Sequence, residues 1–168
     1  NITTFKTQDA LGNTLEKEIF NPQGETLSHT EYTYDPAGNL THQQDHTYQE
    51  THYQSTQTVH TTYTPTHQIA TLTRGYQTSP QTTHYTYYPG GSVRSQTLPD
   101  QTTLYYTYHP LGTLSSLTSS EGSIHHTFEY TLEGYLLEAT DHIQNISITR
   151  TVDPFGNITS ETFPNNIT

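Results

Sequence analysis

The sequence predicts an all-β protein built from tandem antiparallel β-hairpins, and three observations indicate this fold class. Proline and glycine recur in short turn-like clusters, tyrosine alternates with threonine before several of them, and no segment keeps the period of about 3.6 residues that marks a helix. A single hairpin is marginal in water, so we expect the hairpins to pair side by side into one long sheet that coils into a spiral. Tyrosine columns would then line one face of this sheet, and threonine, glutamine and histidine the other.

The composition of the 168-residue chain excludes several classes of function. A net charge of −11 with few aliphatic residues is typical of disorder, but 14 tyrosines and a charged fraction of only 12% favour strands. The chain has no cysteine, which excludes disulfides and thiolate metal sites. With five lysines and arginines in all, it is a poor match for nucleic acid, and it has no apolar run long enough to insert in a membrane.

One motif recurs along the chain and is most complete at Tyr32–Leu40, which reads Tyr-Thr-Tyr-Asp-Pro-Ala-Gly-Asn-Leu. From Gly91 onward the anchoring glycines are spaced 21 to 22 residues apart. Weaker copies occur around Gly12 and Gly24, and Tyr63–Ile69 is a copy with histidine in the glycine place. The motif residues are Tyr32, Tyr34, Asp35, Pro36, Gly38 and Asn39, then Tyr87, Pro89 and Gly91, Tyr108, Pro110 and Gly112, Tyr130 and Gly134, and Asp153, Pro154, Gly156 and Asn157.

The motif has the chemistry of a type I turn followed by a left-handed residue. The aspartate can bond its own turn, the proline presets φ at the second position, and glycine accepts a positive φ at low cost. Replacing such a glycine with valine is expected to cost about 1–3 kcal/mol. We therefore expect a positive φ at Gly38, Gly112 and Gly156, after turns whose second residues are Pro36, Pro110 and Pro154.

Residues 1–168 are interpreted as a single repeat region, a fragment of a larger repeat structure, with weaker copies in 1–31. The stretch 41–62 lacks the expected turn and is either a longer hairpin or an irregular loop. Apolar residues three apart, Ile69 with Leu72 and Leu114 with Leu117, imply either a β-bulge or one exposed member of each pair. Connecting turns are predicted at Thr73–Gly75, Leu98–Asp100, Ser120–Gly122 and Asp141–Asn145.

The eleven histidines raise the possibility of a metal site. His42, His46 and His52 share parity and would face one side of a common strand, whereas the adjacent His125 and His126 would face opposite sides. Metal sites need three or four convergent ligands, and these histidines are scattered through polar segments. We interpret them as polar-face residues.

Carboxylate pairs and tyrosines offer two further candidates for chemistry. Glu129 could pair with Glu133 or Asp141 for acid–base work, but carboxylates are sparse and lie at turns. The tyrosine columns could bind sugars or proteins, yet their alternation with threonine is better explained by cross-strand packing. The sequence therefore predicts no catalytic residue, cofactor or metal, and the chain is not expected to be an enzyme.

The segments Tyr32–Leu40 and Asp153–Ile158 resemble the YD repeats of Rhs proteins, to which bacterial Tc toxin components and animal teneurins are similar. The resemblance covers nearly the whole chain and implies a β-strip that spirals into a hollow shell. In the bacterial toxins such a shell resembles a container for a C-terminal effector, and in teneurins it supports adhesion. The lack of cysteine and of EGF-like modules favours the bacterial branch. Asp153 is followed by more repeat, so no self-cleavage role is transferred to it.

The leading hypothesis is a wall segment of an Rhs/YD-repeat shell that encapsulates a C-terminal toxin or effector in a secreted bacterial protein. The alternative is an extracellular adhesion surface that binds glycans or proteins. The implied partners are neighbouring repeat segments of the same parent chain and the enclosed effector, with no nucleic acid and no membrane insertion by this segment. Unpaired sheet edges also suggest edge-to-edge self-association. The resemblance implies a secreted or cell-surface location.

Overall fold

A computed structural model describes residues 2–49, 52–75 and 79–163, and every regular element in these ranges is a β-strand. Fourteen antiparallel strands form one open sheet in chain order. The predicted all-β class and the antiparallel hairpin pattern are confirmed, and the described residues contain no helix that could cross a membrane. The strands are β1 Thr3–Gln8, β2 Thr14–Phe20, β3 Thr26–Tyr34, β4 Leu40–Gln49, β5 His52–Tyr63, β6 Ile69–Gly75, β7 Gln81–Tyr87, β8 Val93–Thr97, β9 Thr103–Tyr108, β10 Leu114–Ser119, β11 His125–Tyr130, β12 Leu136–Asp141, β13 Ile146–Val152 and β14 Ile158–Thr162.

The chain divides into two compact units, Asn1–His84 and Tyr85–Thr168. In the first unit, successive strands from β1 to β7 pair antiparallel. In the second unit, the same holds from β8 to β14. Because each strand pairs with its sequence neighbours, every unit is a simple meander, and the motif turns within it lie on one edge.

A β-bulge beside the turn sets which side chains share a face. In the third hairpin Tyr63 pairs with Ile69 and Thr61 with Leu72, with a register shift between them. The same shift separates Leu114 from Leu117. The bulge alternative is therefore correct for both pairs, and Ile69 is in addition 36% exposed. The bulge returns both members of each pair to the tyrosine face.

The two faces of the sheet differ in burial. Tyr32 and Tyr34 are half-buried while Thr33 between them is exposed, as the predicted alternation requires. Hydroxyl groups pair across strands on the threonine face, for example Thr62 with Thr71 at 2.7 Å. No hydrophobic side chain of the described residues is fully buried, as expected for a single layer with nothing packed on it. Cross-strand pairs therefore replace a conventional core.

The described part of the stretch 41–62 forms a long antiparallel hairpin with a register shift between Thr47 and Tyr48, so the longer-hairpin alternative is correct and the irregular-loop alternative is wrong. Its strands β4 and β5 contain 10 and 12 residues. Polar side chains face one another across them, such as Thr47 with Ser55 at 2.8 Å and Gln44 opposite Thr58. These polar pairs hold the strands without the apolar alternation that sequence patterns reveal. The connection at 50–51 lies outside the described residues.

Two connection assignments need correction. Thr73–Gly75 is the end of β6 and not a turn, because Thr73 and Arg74 pair with β7. The turn containing Gly24 closes with the same bonds as the motif turns, from the Gly24 amide to the Asn21 carbonyl and from the Asn21 amide to the Glu25 carbonyl. It joins β2 to β3, however, and therefore lies on the opposite edge from Gly12 and Gly38, between two hairpins. The turns predicted at Leu98–Asp100, Ser120–Gly122 and Asp141–Asn145 do connect strands.

Candidate functional site

The candidate site is the edge formed by the motif turns together with the tyrosines that lead into them. In the fullest copy the Gly38 amide donates to the Asp35 carbonyl at 2.9 Å, and the Asp35 amide donates to the Asn39 carbonyl at 2.9 Å. The positive φ predicted for the motif glycines is observed, with values of 84°, 87° and 85° at Gly38, Gly112 and Gly156. These two backbone hydrogen bonds close the turn that joins the two strands of the hairpin.

The turn aspartate is fully engaged by its own loop. Asp35 Oδ1 accepts from the Ala37 and Asn39 amides at 2.9 Å each, and Oδ2 accepts from Asn39 Nδ2 at 2.9 Å. Asp153 makes the same three bonds within its turn, also at 2.9 Å. The Asn39 side chain, then backbone amides, hold the pKa of the Asp35 carboxyl below its usual value. These carboxylates are therefore structural acceptors.

Four motif turns begin with a residue other than aspartate. Thr64 and Thr131 accept backbone amides of their own loops at Oγ1, whereas the other two side chains bond elsewhere. The Tyr88 hydroxyl donates to the Tyr106 carbonyl at 3.0 Å. His109 Nε2 donates to the Phe128 carbonyl at 3.0 Å. Both reach forward to the next hairpin of the second unit. The first position of the turn thus either stabilises its own loop or couples to the next repeat.

Tyrosine hydroxyls also couple hairpins in the first unit. Tyr34 donates to the Thr14 carbonyl at 2.9 Å, and Tyr63 donates to the Leu40 carbonyl at 2.8 Å. Burial raises the pKa of both phenols, so they remain neutral donors at physiological pH. The sequence predicted packing for these tyrosines but missed the hydrogen bonds. The available signal was a tyrosine directly before the turn's first residue in both copies.

A third contact joins neighbouring turns directly. The residue after the left-handed position of one turn touches the left-handed residue of the next. Asn39 Nδ2 lies 3.0 Å from Nδ1 of His67, which has a φ of 62°. The Tyr135 ring lies so close to Gly156 that an added Cβ would be 2.3 Å from Cε1. Glycine at 156 is therefore required both by φ and by this ring.

The remaining motif residues occupy the positions that the repeat implies. Pro36, Pro89, Pro110 and Pro154 stand second in their turns; Gly91 and Gly134 have positive φ; Tyr87, Tyr108 and Tyr130 are half-buried strand ends; and Asn157 bonds Asp153.

Histidines form side-chain pairs and small clusters. His29 lies between Glu18 and Glu31, with 3.3 Å from Nδ1 and Nε2 to the respective carboxylates. His42 and His46 share one face of β4 as predicted, but His52 lies on β5, because the chain reverses between them. In the described ranges no three histidine or acidic side chains are placed to hold a metal ion.

The two histidines of β11 differ in their partners. His125 is exposed and its ring centroid lies 4.3 Å from that of His142. His126 is half-buried, and its Nε2 lies 3.5 Å from Asp141 Oδ2. The adjacent residues therefore make separate contacts, as expected of neighbours in a strand.

The candidate acid–base carboxylates are not assembled into a pair. Glu129 lies opposite Glu138 in the sheet, and Asp141 lies three register positions further along, about 10 Å away. Glu133 lies in the turn, where its amide bonds Thr131 Oγ1. Asp141 accepts from the Ile143 and Gln144 amides, and these bonds hold the pKa of its carboxyl below the usual value. Its local role is to close a turn.

Comparison with known proteins gives matches in structure but not in sequence. No protein-family model and no curated protein matches the chain. A crystal structure of TcdB2-TccC3-Cdc42 superposes with a TM-score of 0.77 at 16% identity, over 94% of this chain and 9% of the other. A Photorhabdus luminescens Tc holotoxin pore with a TccC3 mutation gives 0.72 at 20%, over 96% and 9%. A crystal structure of TcdB2-TccC3-TEV gives 0.56 at 10%, over 96% and 12%.

These comparisons agree with the YD-repeat resemblance of the sequence. The chain spans only 9% to 12% of the length of the chains it matches. At such low identity the likeness shows the fold and not the activity of those proteins. The chain accordingly has the antiparallel β-hairpin repeat fold that occurs in Tc toxin chains.

Proposed function

We propose that this chain is a wall segment of a hollow repeat shell that encloses a C-terminal toxin or effector in a secreted bacterial protein, and that it performs no catalysis. The observation that carries the proposal is the use of the motif side chains: the carboxylates of Asp35 and Asp153 and the hydroxyls of Tyr34 and Tyr63 bond the sheet itself. Side chains that bond other parts of the sheet stabilise it, which is the role expected of a structural wall segment. The fold likeness to Tc toxin chains supports the same role.

The partners follow from this role. Other repeat segments of the parent chain would continue the wall, and the enclosed effector would contact it. A secreted or cell-surface location is proposed from the fold likeness to Tc toxin chains. The strong acidic balance also opposes binding to nucleic acid.

The test is protease protection of the region C-terminal to the repeats, in the complete parent protein. That region should resist digestion in the intact protein. Gly38→Val should accelerate its digestion by about tenfold or more, because valine is strained at a positive φ and would loosen the wall. The control is Ala37→Val, which adds a larger side chain at the neighbouring exposed turn position without a positive φ. Equal digestion rates for the intact protein and the Gly38→Val variant would contradict the proposal.

A second candidate, an adhesion surface for glycans or proteins, is favoured by exposed tyrosines. Tyr53 is 57% exposed in the first unit and Tyr105 is 47% exposed in the second. Exposed aromatic rings are suitable platforms for stacking. Glycan-array binding that is lost in Tyr53→Ala or Tyr105→Ala would support this candidate, and absence of binding by the wild-type chain would remove it.

A further inference from the structure

Six of the eleven histidines form three pairs, within the described residues, in which imidazole rings from neighbouring strands lie beside each other. The pairs are His29 with His46, His42 with His60, and His125 with His142, and their ring centroids are 6.1, 6.0 and 4.3 Å apart. Imidazole nitrogens are common ligands of zinc, copper and nickel ions, so each pair is a candidate for metal binding.

The distance between the rings separates the third pair from the other two. With a metal–nitrogen distance of about 2.0 Å, two imidazoles on one ion have centroids about 4.5 Å apart at a right angle and about 5.1 Å apart at a tetrahedral angle. The centroids of His125 and His142 are 4.3 Å apart, close to the first value, whereas those of the other pairs lie well beyond both. Both rings are exposed, so a small rotation can bring their nitrogens onto a common ion.

The ring nitrogens of this pair are also available for a ligand. His142 Nε2 lies 2.8 Å from Thr127 Oγ1, which leaves Nδ1 for a metal ion. Histidine ligands usually make such a bond with their other nitrogen, because it fixes the tautomer and the orientation of the ring. The His125 ring makes no hydrogen bond in the part of the chain that the structure describes. In contrast, both ring nitrogens of His29 lie 3.3 Å from carboxylates, those of Glu18 and Glu31.

The backbone holds the two histidines side by side without a metal. His125 is the first residue of β11, and His142 directly follows the last residue of β12. The His142 amide donates to the His125 carbonyl at 2.9 Å. The connection that carries His142 is closed by Asp141, which accepts the amides of the next two residues but one at 2.8 and 3.1 Å. Because the two main chains are already ordered, binding an ion requires only the rings to adjust.

We propose that His125 and His142 form a two-histidine site for a divalent late transition-metal ion, which binds most tightly as Cu²⁺. Two imidazoles at a right angle, with water oxygens in the remaining positions, make the tetragonal ligand set that suits Cu²⁺, and Cu²⁺ binds such a set more tightly than Ni²⁺ or Zn²⁺. The site is open and exchanges its metal, unlike a structural site closed by four protein ligands. It does not depend on whether the chain encloses an effector.

The test is titration of the purified, untagged 168-residue chain with CuCl₂ at neutral pH, followed by calorimetry and by electron paramagnetic resonance. The most tightly bound ion should show coupling to two imidazole nitrogens. His125→Gln and His142→Gln should each weaken the binding of this ion about tenfold or more, because each removes one of its two protein ligands. The matched control is His42→Gln, which breaks the pair with His60 and should leave the affinity at the wild-type value.

Three results would overturn the proposal: wild-type affinity in His125→Gln or His142→Gln, an equal loss of affinity in His42→Gln, or a tightest ion that is coupled to fewer than two nitrogens. Because the replaced rings are exposed, the variants should keep the wild-type denaturation midpoint. If a variant is destabilised, the wild type alone decides. Cu²⁺ added below one equivalent should broaden the amide resonances of His125 and His142 before those of His42 and His60, and the reverse order would sink the assignment.

Discussion

Gly156→Ala should destabilise the second unit more than Gly112→Ala, although both glycines have almost the same backbone conformation. Their φ values are 85° and 87°. A Cβ at this φ meets the adjacent carbonyl oxygen, which costs about 1 kcal/mol. This backbone cost is shared by both positions, so any difference between them must come from their surroundings.

The surroundings differ because of one aromatic ring. A Cβ at Gly156 would lie 2.3 Å from Tyr135 Cε1 and 2.5 Å from Cζ, whereas nothing lies within 4 Å of a Cβ at Gly112. The ring must move by about 1 Å or more to reach van der Waals distance. Tyr135 is 36% exposed, so it can swing into solvent and lose its packing, at about 1–2 kcal/mol. We expect about 2–3 kcal/mol for Gly156→Ala and about 1 kcal/mol for Gly112→Ala.

The assay is urea denaturation followed by circular dichroism, arranged as a double-mutant cycle with Tyr135→Ala. Without the ring, Gly156→Ala should cost about 1 kcal/mol, the same as Gly112→Ala. Both positions lie in one unit, so the comparison is internal to it. Equal costs in the wild-type background, or an excess that persists without the ring, would refute the assigned contact.

Three further predictions address the tyrosines, the turn aspartates and the outer strands. Tyr63→Phe removes the bond to the Leu40 carbonyl and should lower the unfolding free energy by about 1 kcal/mol, with Tyr105→Phe as the exposed control; equal denaturation midpoints would contradict it. The pKa of the Asp153 carboxyl is held below its usual value by Asn157 and nearby amides, so its contribution is present above about pH 4 and is lost as pH falls through the lowered pKa. Asp153→Asn should therefore flatten the acid side of the stability profile measured by denaturation midpoints, and an unchanged slope would argue against this. Amides of β1 and β14 should exchange hydrogen faster than those of β10, because the outer strands pair on one side only in the described sheet; uniform exchange would count against the open edges.

The turns could be predicted from sequence because their interactions are local. Asp35 bonds groups two and four residues away, and Gly38 closes a loop that begins three residues earlier. Such short-range geometry depends on residue type alone, since aspartate supplies the acceptor and glycine the positive φ. The strands leading into the turns were also predictable, because half-buried and exposed residues alternate with a period of two.

Contacts between hairpins could not be predicted in the same way. The Tyr34 hydroxyl reaches a carbonyl 20 residues earlier, and Tyr135 lies against a glycine 21 residues later. Both contacts depend on strand register and on bulges, because a register slip of one residue would move each side chain to the other face of the sheet.

The hairpin of β4 and β5 was ambiguous for another reason. Its paired side chains are mostly polar on both faces, so hydrophobic periodicity gave no signal.

The side chain at the first position of a motif turn bonds either its own loop or the next hairpin. His109→Asp should replace the bond to the next hairpin with bonds inside the turn. Aspartate at 109 could accept the Leu111 and Thr113 amides, as Asp35 accepts its own. It would lose the His109 bond to the Phe128 carbonyl and the edge contact with the Tyr130 ring, whose centroid is 5.8 Å away. Because a repeat sheet is stabilised by each unit and by contacts with its neighbours, the two changes should nearly cancel in global stability, to within about 1 kcal/mol.

Their local effects should not cancel. Hydrogen exchange should become slower at the amides of the turn and faster in β11, which loses its link to the preceding hairpin. The matched control is Thr131→Asp, which adds the same acceptor to a turn whose first residue already bonds its own loop. If β11 exchanges at the wild-type rate in His109→Asp, the histidine does not couple the hairpins. Coupling by a first turn residue would then rest on the Tyr88 hydroxyl alone, which donates to the Tyr106 carbonyl.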